Sequence, residues 1–184
     1  MKVVIVGGVA GGATAAARLR RLDEQAEIII FERSGYVSYA NCGLPYYIGG
    51  EITDREELTL QTPESFRRRF NIDVRVRHEV LSLDAAGKTV TVRALDTGRV
   101  FTESYDKLLL SPGAKPTQPS LPGAGSDRLF TLRTVEDTLA IRAFVEREEP
   151  KSVVLAGGGF IGLELAENLR ELGLEATIVQ RPRQ

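Results

Sequence analysis

Short apolar runs that end on glycine set the pattern of this chain. Met1-Lys2-Val3-Val4-Ile5-Val6 is apolar but stops at Gly7 after too few residues for a signal peptide or a membrane span, and it reads as a buried parallel strand. The glycine-rich turn Gly7 to Gly12 follows, then an alanine-rich helix to about Leu22, then a second apolar strand from Glu27 to Phe31. This is a βαβ start with a glycine turn at the first strand end.

The period changes in the middle of the chain. Thr62-Pro63-Glu64-Ser65 opens a short helix to about Phe70, with threonine as N-cap and proline at the first helical position. Asp73 to Arg77, Glu79 to Leu83, Thr89 to Ala94 and Arg99 to Tyr105 then read as short strands, broken by the turns Asp84-Ala85-Ala86-Gly87 and Asp96-Thr97-Gly98. The later ones predict a small antiparallel meander. His78 falls between two of these segments and reads as structural. Lys107 to Leu110 returns as an apolar strand into Ser111-Pro112-Gly113-Ala114, where backbone can pass close to a ligand.

Lys115 to Gly125 is rich in Pro, Gly, Ser and Ala and reads as a linker. Beyond it the first pattern repeats. Glu136 to Glu148 predicts a helix, Ser152 to Leu155 a strand, Gly157 to Gly162 a glycine turn, then a helix to about Leu172 that Gly173 ends, and a strand from Glu175 to Val179.

Composition changes this picture little. The 184 residues carry 24 basic and 25 acidic side chains, which argues against a nucleic-acid or membrane-surface role founded on bulk charge. Arg67-Arg68-Arg69 is too short a run to alter that. One cysteine makes no internal disulfide, one cysteine with one histidine makes no structural zinc site, and a reducing cytosolic compartment fits best.

Candidate chemistry lies in three places. The only cysteine stands in Ser38-Tyr39-Ala40-Asn41-Cys42-Gly43-Leu44-Pro45-Tyr46-Tyr47-Ile48-Gly49. Asn41 is a good N-cap, which places Cys42 at the first helical position, Pro45 in the first turn and Gly49-Gly50 at the exit. There the helix dipole and unpaired N–H groups favour the thiolate. A lone cysteine is also at home as a small buried apolar residue. The two glycine turns are candidate diphosphate cradles, because backbone approaches the ligand closely and the helix N-terminus points positive charge at it. Glu32, about 25 residues after Gly7, sits where an acid binds an adenosine ribose. In the first turn Gly7 and Gly12 fill the outer motif positions and Val9 the middle one; in the second, Gly157, Gly159 and Gly162 fill all three. Two such turns imply two dinucleotide sites.

Taken together, Gly7 to Gly12 with Glu32, Ser38 to Gly49 around Cys42, Tyr105 to Ala114 (YDKLLLSPGA) and Gly157 to Ala166 resemble the N-terminal portion of a flavin-dependent pyridine nucleotide-disulfide oxidoreductase. The branch resembled is the single-cysteine one of coenzyme A-disulfide reductases, NADH oxidases and polysulfide or persulfide reductases. SYANCGLPY is close to the S-F-x-N-C-x-L-P-Y of coenzyme A-disulfide reductases, with Tyr39 for Phe. Oxidases of the family commonly carry a histidine in the first glycine loop, where this chain has Val9 and Ala10.

The resemblance implies an α/β fold: a Rossmann-like FAD-binding domain with a small antiparallel meander (1–114), a linker and connecting helix (115–150), and the start of a second Rossmann-like NAD(P)-binding domain (151–184). It implies FAD held by Gly7, Ala10, Gly11, Glu32, Arg33, Ser111 and Gly113, with Arg133 near the flavin and Val80 near the adenine. NAD(P)H would dock on Gly157, Gly159, Phe160, Ile161, Gly162, Glu164 and Arg181, Phe160 standing where relatives place an aromatic gate. Cys42 would be the redox-active thiol, attacking coenzyme A disulfide, a coenzyme A persulfide or a polysulfide, with Arg21, Ser38, Asn41, Gln61 and Thr62 facing substrate. An NADH oxidase cycling Cys42 through sulfenic acid is the alternative enzyme; a nucleotide-binding or redox-sensing module is the alternative of another class. Two departures stand out. Val179-Gln180-Arg181 has no acid where NADH relatives bind the 2′-hydroxyl, which admits NADPH. Family members are also more than twice as long, so the chain reads as a fragment of a cytoplasmic homodimeric enzyme that alone binds FAD weakly.

Overall fold

The computed structural model describes residues 1–117, 120 and 122–181. Gln118, Pro119 and Leu121 of the expected linker, and Pro182 to Gln184, lie outside them. In chain order the elements are β1 (Lys2–Val6), α1 (Ala10–Leu22), β2 (Glu27–Phe31), α2 (Leu44–Gly49), α3 (Pro63–Phe70), β3 (Asp73–Arg75), β4 (His78–Asp84) and β5 (Thr89–Ala94). They continue with β6 (Val100–Ser104), β7 (Lys107–Leu110), α4 (Val135–Glu148), β8 (Ser152–Ala156), α5 (Phe160–Glu171) and β9 (Glu175–Val179). Among the described residues no helix is long and apolar enough to cross a membrane.

The chain forms two compact units: Met1–Tyr39 with Thr59–Ala114, and Ala40–Leu58 with Lys115–Gln184. Ala40–Leu58, part of 1–114 in the division by sequence, thus packs with the later residues.

In the first unit four parallel strands lie in the order β3-β2-β1-β7. Because both faces are covered, β1 from Val3 and β2 from Ile28 are apolar rather than alternating, and alternation reappears in what each residue meets. Val3, Ile5, Ile28 and Ile30 pack under Ala13 and Ala16 of α1 and Phe66 of α3. Val4, Ile29 and Phe31 face Val90 and Val92 of the antiparallel sheet β4-β5-β6. That sheet is the expected meander, with a register shift between Val80 and Ser82. Asp84 Oδ1 accepts from the N–H of Ala86 and of Gly87, which fixes the first hairpin turn.

His78 is the first paired residue of β4, opposite Ala94, and not a spacer between strands. Its Nδ1 lies 2.7 Å from the Val76 carbonyl and its ring sits 6.2 Å from that of Phe31 and 6.0 Å from that of Phe101. The structural reading of this residue stands on those contacts.

Arg20 ties the C-terminal ends of α1 and α3 together. Its Nε donates to Phe70 O (2.7 Å), Nη2 to Asn71 O (2.9 Å), and Nη1 to Asp23 O (3.2 Å) and Glu24 O (2.6 Å). A cation on carbonyls that no longer have helical partners is well placed. We expect Arg20→Ala to cost about 2 kcal/mol, less than four separate charged hydrogen bonds because the head is partly solvated, read as a lower urea midpoint with an unchanged slope.

In the second unit β8 and β9 pair in parallel around α5, the same βαβ order as β1-α1-β2. Ile48 of α2 packs with Ile141 of α4, Leu169 of α5 and Leu174.

Candidate functional site

The two glycine turns are built alike. Each follows a parallel strand with a glycine at positive φ, Gly7 at 95° and Gly157 at 114°, a conformation that L side chains rarely adopt. A Cβ on Gly12 would strike the Gly7 carbonyl oxygen, and one on Gly162 would strike that of Gly157. The same contact thus recurs 150 residues apart. Val9, the departure from the motif, is the N-cap of α1, while at Gly159, the N-cap of α5, a Cβ would meet nothing within 4 Å. Protein packing therefore does not demand glycine at the middle position.

The helices that follow these turns start differently from α3 and α4. α3 and α4 close their own N-termini with reciprocal capping boxes, Thr62 with Ser65 and Thr134 with Asp137. α1 and α5 have no side-chain cap and no acidic residue in the first turn. Their first N–H groups and dipole ends are open to an anion.

Around the first turn, Glu32 accepts from Gly8 N at 2.7 Å through Oε2 and from Ser34 N at 2.8 Å through Oε1. Both oxygens keep lone pairs for a diol. Ser111 N donates to Val6 O, and a Cβ on Gly7 or Gly11 would run into the Ser111 carbonyl or hydroxyl, so the two strand ends nearly touch. Gly113 follows at φ 72°. Arg33 pairs loosely with Glu79 at 3.8 Å, and Val80 packs against the Phe31 cluster.

A groove of about 320 Å³ runs beside α1, lined by Ala10, Ala13, Thr14, Ser38, Gln61 and Phe66 among others. It brings the substrate candidates Ser38 and Gln61 together. Thr14 was not singled out in the sequence; its signal is the helical spacing from Ala10, visible once the groove is known. Ser38 holds φ 48°, fixed by its N–H on Gly8 O and its carbonyl accepting from Leu60 N. Gln61 Oε1 accepts from the Ser65 hydroxyl, Thr62 is occupied as N-cap, and Arg21 is exposed in the last turn of α1.

Cys42 lies in the second unit, exposed, in the middle of a 3-10 turn, Asn41–Gly43. The expected N-cap role of Asn41 does not hold. An α-helix capped there needs an N–H from residue 45 to the Asn41 carbonyl, and Pro45 has none; Leu44 N bonds it instead, and α2 begins at Leu44. Cys42 precedes α2 instead of opening it, so the dipole argument attached to the first helical position lapses. Asn41 Oδ1 accepts from Arg133 Nη1 at 3.1 Å. The turn is held from below: Gly43 is tight against Ile52 and Leu58, Leu44, Tyr47 and Ile48 are buried, and Gly49 closes on Asn168. Arg142, which no sequence pattern marked, donates Nη1 to Tyr47 O at 2.9 Å with its guanidinium 4.5 Å from the Tyr47 ring centroid.

At the second turn, Gly158 N donates to Gln180 Oε1 at 2.8 Å. Phe160 is 87 % exposed, Ile161 is exposed, Glu164 stands one turn on in α5, and Arg181 is exposed just past β9.

Residues 1–184 match the family described as pyridine nucleotide-disulphide oxidoreductase. The chain is 48% identical over 180 residues to a coenzyme A disulfide reductase of Staphylococcus aureus (strain JH9), covering 98% of this chain and 40% of that protein. Among solved structures it superposes on reduced Bacillus anthracis CoADR-RHD with a TM-score of 0.97 at 53% identity, over 100% of this chain and 33% of that one. An NAD-dependent persulfide reductase from A. fulgidus gives a TM-score of 0.91 at 36% identity, over 97% and 33%. The chain thus spans well under half the length of these relatives. By the match along its whole length, it belongs to the pyridine nucleotide-disulphide oxidoreductase family.

Proposed function

We propose that this chain is the part of an FAD-dependent, NAD(P)H-driven reductase that carries the flavin turn, the reactive cysteine and the nicotinamide-nucleotide turn. Residues 1–114, apart from Ala40–Leu58, which packs with the later residues, are the first segment of the FAD-binding domain, 115–150 the connection, and 151–184 the start of the nicotinamide domain. The observation that carries the reading is the exposed Cys42 thiol on a turn anchored from beneath, in a chain whose two glycine-turn helices alone of the longer helices described lack a side-chain cap. The coenzyme A disulfide reductase and persulfide reductase names of the relatives support a sulfur substrate.

The donor sets fit the cofactors. Gly7, Ala10 and Gly11 with the open end of α1 suit a diphosphate, Glu32 a ribose, and Ser111 and Gly113 the adjoining strand end; Arg33 and Val80 flank the adenosine, and Arg133 the flavin. Gly157, Gly159, Phe160, Ile161, Gly162 and Glu164 serve the nicotinamide nucleotide. Bound FAD supplies a two-electron reductant that NAD(P)H restores. The Cys42 thiolate attacks one sulfur of a coenzyme A disulfide or persulfide, forms a Cys42 mixed disulfide and expels the other sulfur as thiolate or hydrosulfide, which takes a proton from water. Two electrons returned to that bond free the second product and restore the Cys42 thiolate. Ser38 and Gln61 in the groove, with Arg21, Asn41 and Thr62, orient the substrate.

The test is the intact mass of the protein purified aerobically without reductant, with any adduct mapped to Cys42. A coenzyme A adduct released by thiols is the expected result. A single oxygen on Cys42, with oxygen consumed on adding NADH, would move the assignment to an oxidase.

A further inference from the structure

The thiol is placed by a helix too short to place itself. Cys42 and its 3-10 turn, Asn41–Gly43, contribute no buried residue, so the turn takes its position from α2, which follows at Leu44. α2 has six residues, and a helix that short is marginal in water on its own. Its order comes from what it packs against.

Arg142 of α4 supplies the most directional part of that support. Its Nη1 donates to Tyr47 O at 2.9 Å, closer than the 3.3 Å bond from Gly50 N to the same carbonyl, and its guanidinium lies 4.5 Å from the Tyr47 ring centroid. One planar cation thus grips both the backbone and the side chain of one residue. Apolar contacts are non-directional, whereas a charged bond to a single carbonyl and a covered ring fix the rotation and the height of α2. Arg142 is itself held. Its Nε donates to Glu146 Oε1 at 2.9 Å, and it stands in the wall of a cavity of about 370 Å³ where α2, α4 and α5 end, at Gly50, Glu149 and Leu172. Those ends are the negative ends of the helix dipoles, which favour a cation there.

We propose that Arg142 is a positioning residue for the reaction of Cys42: by holding Tyr47 it holds α2, and through α2 it keeps the sulfur aligned with the disulfide it attacks. The inference rests on the reading of Cys42 as the attacking thiol. Attack needs a near-attack alignment, and a misplacement of about 1 Å costs about a hundredfold in rate. The effect of Arg142 runs through Tyr47.

In the flavin-loaded protein, Arg142→Ala is expected to lower kcat with coenzyme A disulfide about tenfold to a hundredfold while KM moves less than about threefold, the split that lost alignment gives and lost binding does not. Bleaching of the flavin by NAD(P)H, which does not involve the thiol, should keep the parent rate. So should alkylation of Cys42 by iodoacetamide, which needs an exposed thiol but no alignment. Arg142→Lys keeps the charge and a donor without the planar face, and should recover part of kcat. Arg147→Ala is the control: Arg147 lies on the same helix, pairs with Glu148 and covers Phe144, and its loss should leave kcat unchanged. A parent-like kcat in Arg142→Ala, whatever happens to its urea midpoint, would overturn the inference, because Arg142 would then add stability alone. A matching fall in flavin bleaching would overturn it too, as a sign of general loosening. If Arg142→Ala does not fold, Arg142→Lys decides: kcat lowered at least about threefold with bleaching intact supports the inference, and a parent-like kcat overturns it. A parent protein without disulfide turnover would overturn the reading of Cys42, and the inference with it.

Discussion

A Cys42→Ser variant is expected to lose about a thousandfold or more in kcat/KM with a disulfide substrate while both nucleotide affinities stay unchanged. The size follows from removing a nucleophile: serine at neutral pH does not attack a disulfide, and what survives is only what binding supplies. Specificity of the effect follows from where the residue stands. Cys42 is exposed, the 3-10 turn is closed by backbone bonds, and its support comes from Leu44, Tyr47 and Ile48 below. Exchanging sulfur for oxygen leaves those contacts alone, so stability should move by less than about 0.5 kcal/mol. Steady-state rates beside nucleotide titrations and a thermal melt check all three parts. Retained turnover would remove Cys42 from the mechanism, and a parallel loss of nucleotide binding would mark it as structural.

Gly7→Ala should have the largest effect on the fold and on flavin retention. Two costs add there: a side chain at φ 95°, and a Cβ driven into the Ser111 carbonyl, a backbone atom that cannot move without parting β7 from β1. Strained backbone and overpacking each cost about 1–3 kcal/mol, so about 3 kcal/mol or more is expected in total. Gly98→Ala separates the two. That residue has φ 71° but nothing within 4 Å of an added Cβ, so it carries the conformational cost alone, about 1 kcal/mol. Denaturant unfolding of both variants, with flavin absorbance after gel filtration, tests the pair. Equal losses would mean that the Ser111 contact contributes nothing.

What the sequence made legible was what short-range chemistry decides. Apolar runs marked the parallel strands because a strand covered on both faces has no polar side to show, and glycines marked the turns because Gly7 and Gly157 sit where other residues are strained. Thr62 was readable as a cap because its partner Ser65 is three residues away. The misreadings share a different origin. Asn41 looked like a cap by its own propensity, and the missing N–H of Pro45 four residues on overruled it. His78, read as structural, was placed between two strands and not in β4 because its pairing with Ala94 depends on a partner strand. The packing of Ala40–Leu58 with later residues rests on Ile48 against Ile141, Leu169 and Leu174, more than ninety residues downstream of Ile48. No local pattern announces that. Likewise Gln180 could be read as a missing acid, but not as the clasp of the Gly158 turn.

The cysteine-bearing segment leaves and rejoins its neighbours at one place. Tyr39 and Thr59 form an antiparallel bridge, Leu60 N bonds Ser38 O, and Ala40 N bonds Leu58 O. A stretch whose two ends are already stapled side by side can change length at its exposed positions at little thermodynamic penalty, since doubling a closed loop costs only about 0.6 kcal/mol, whereas Leu44, Tyr47 and Ile48 are buried and fixed by what they pack against. In engineering terms the exposed positions of Ala40–Leu58 are the places to insert residues, and its buried ones are not.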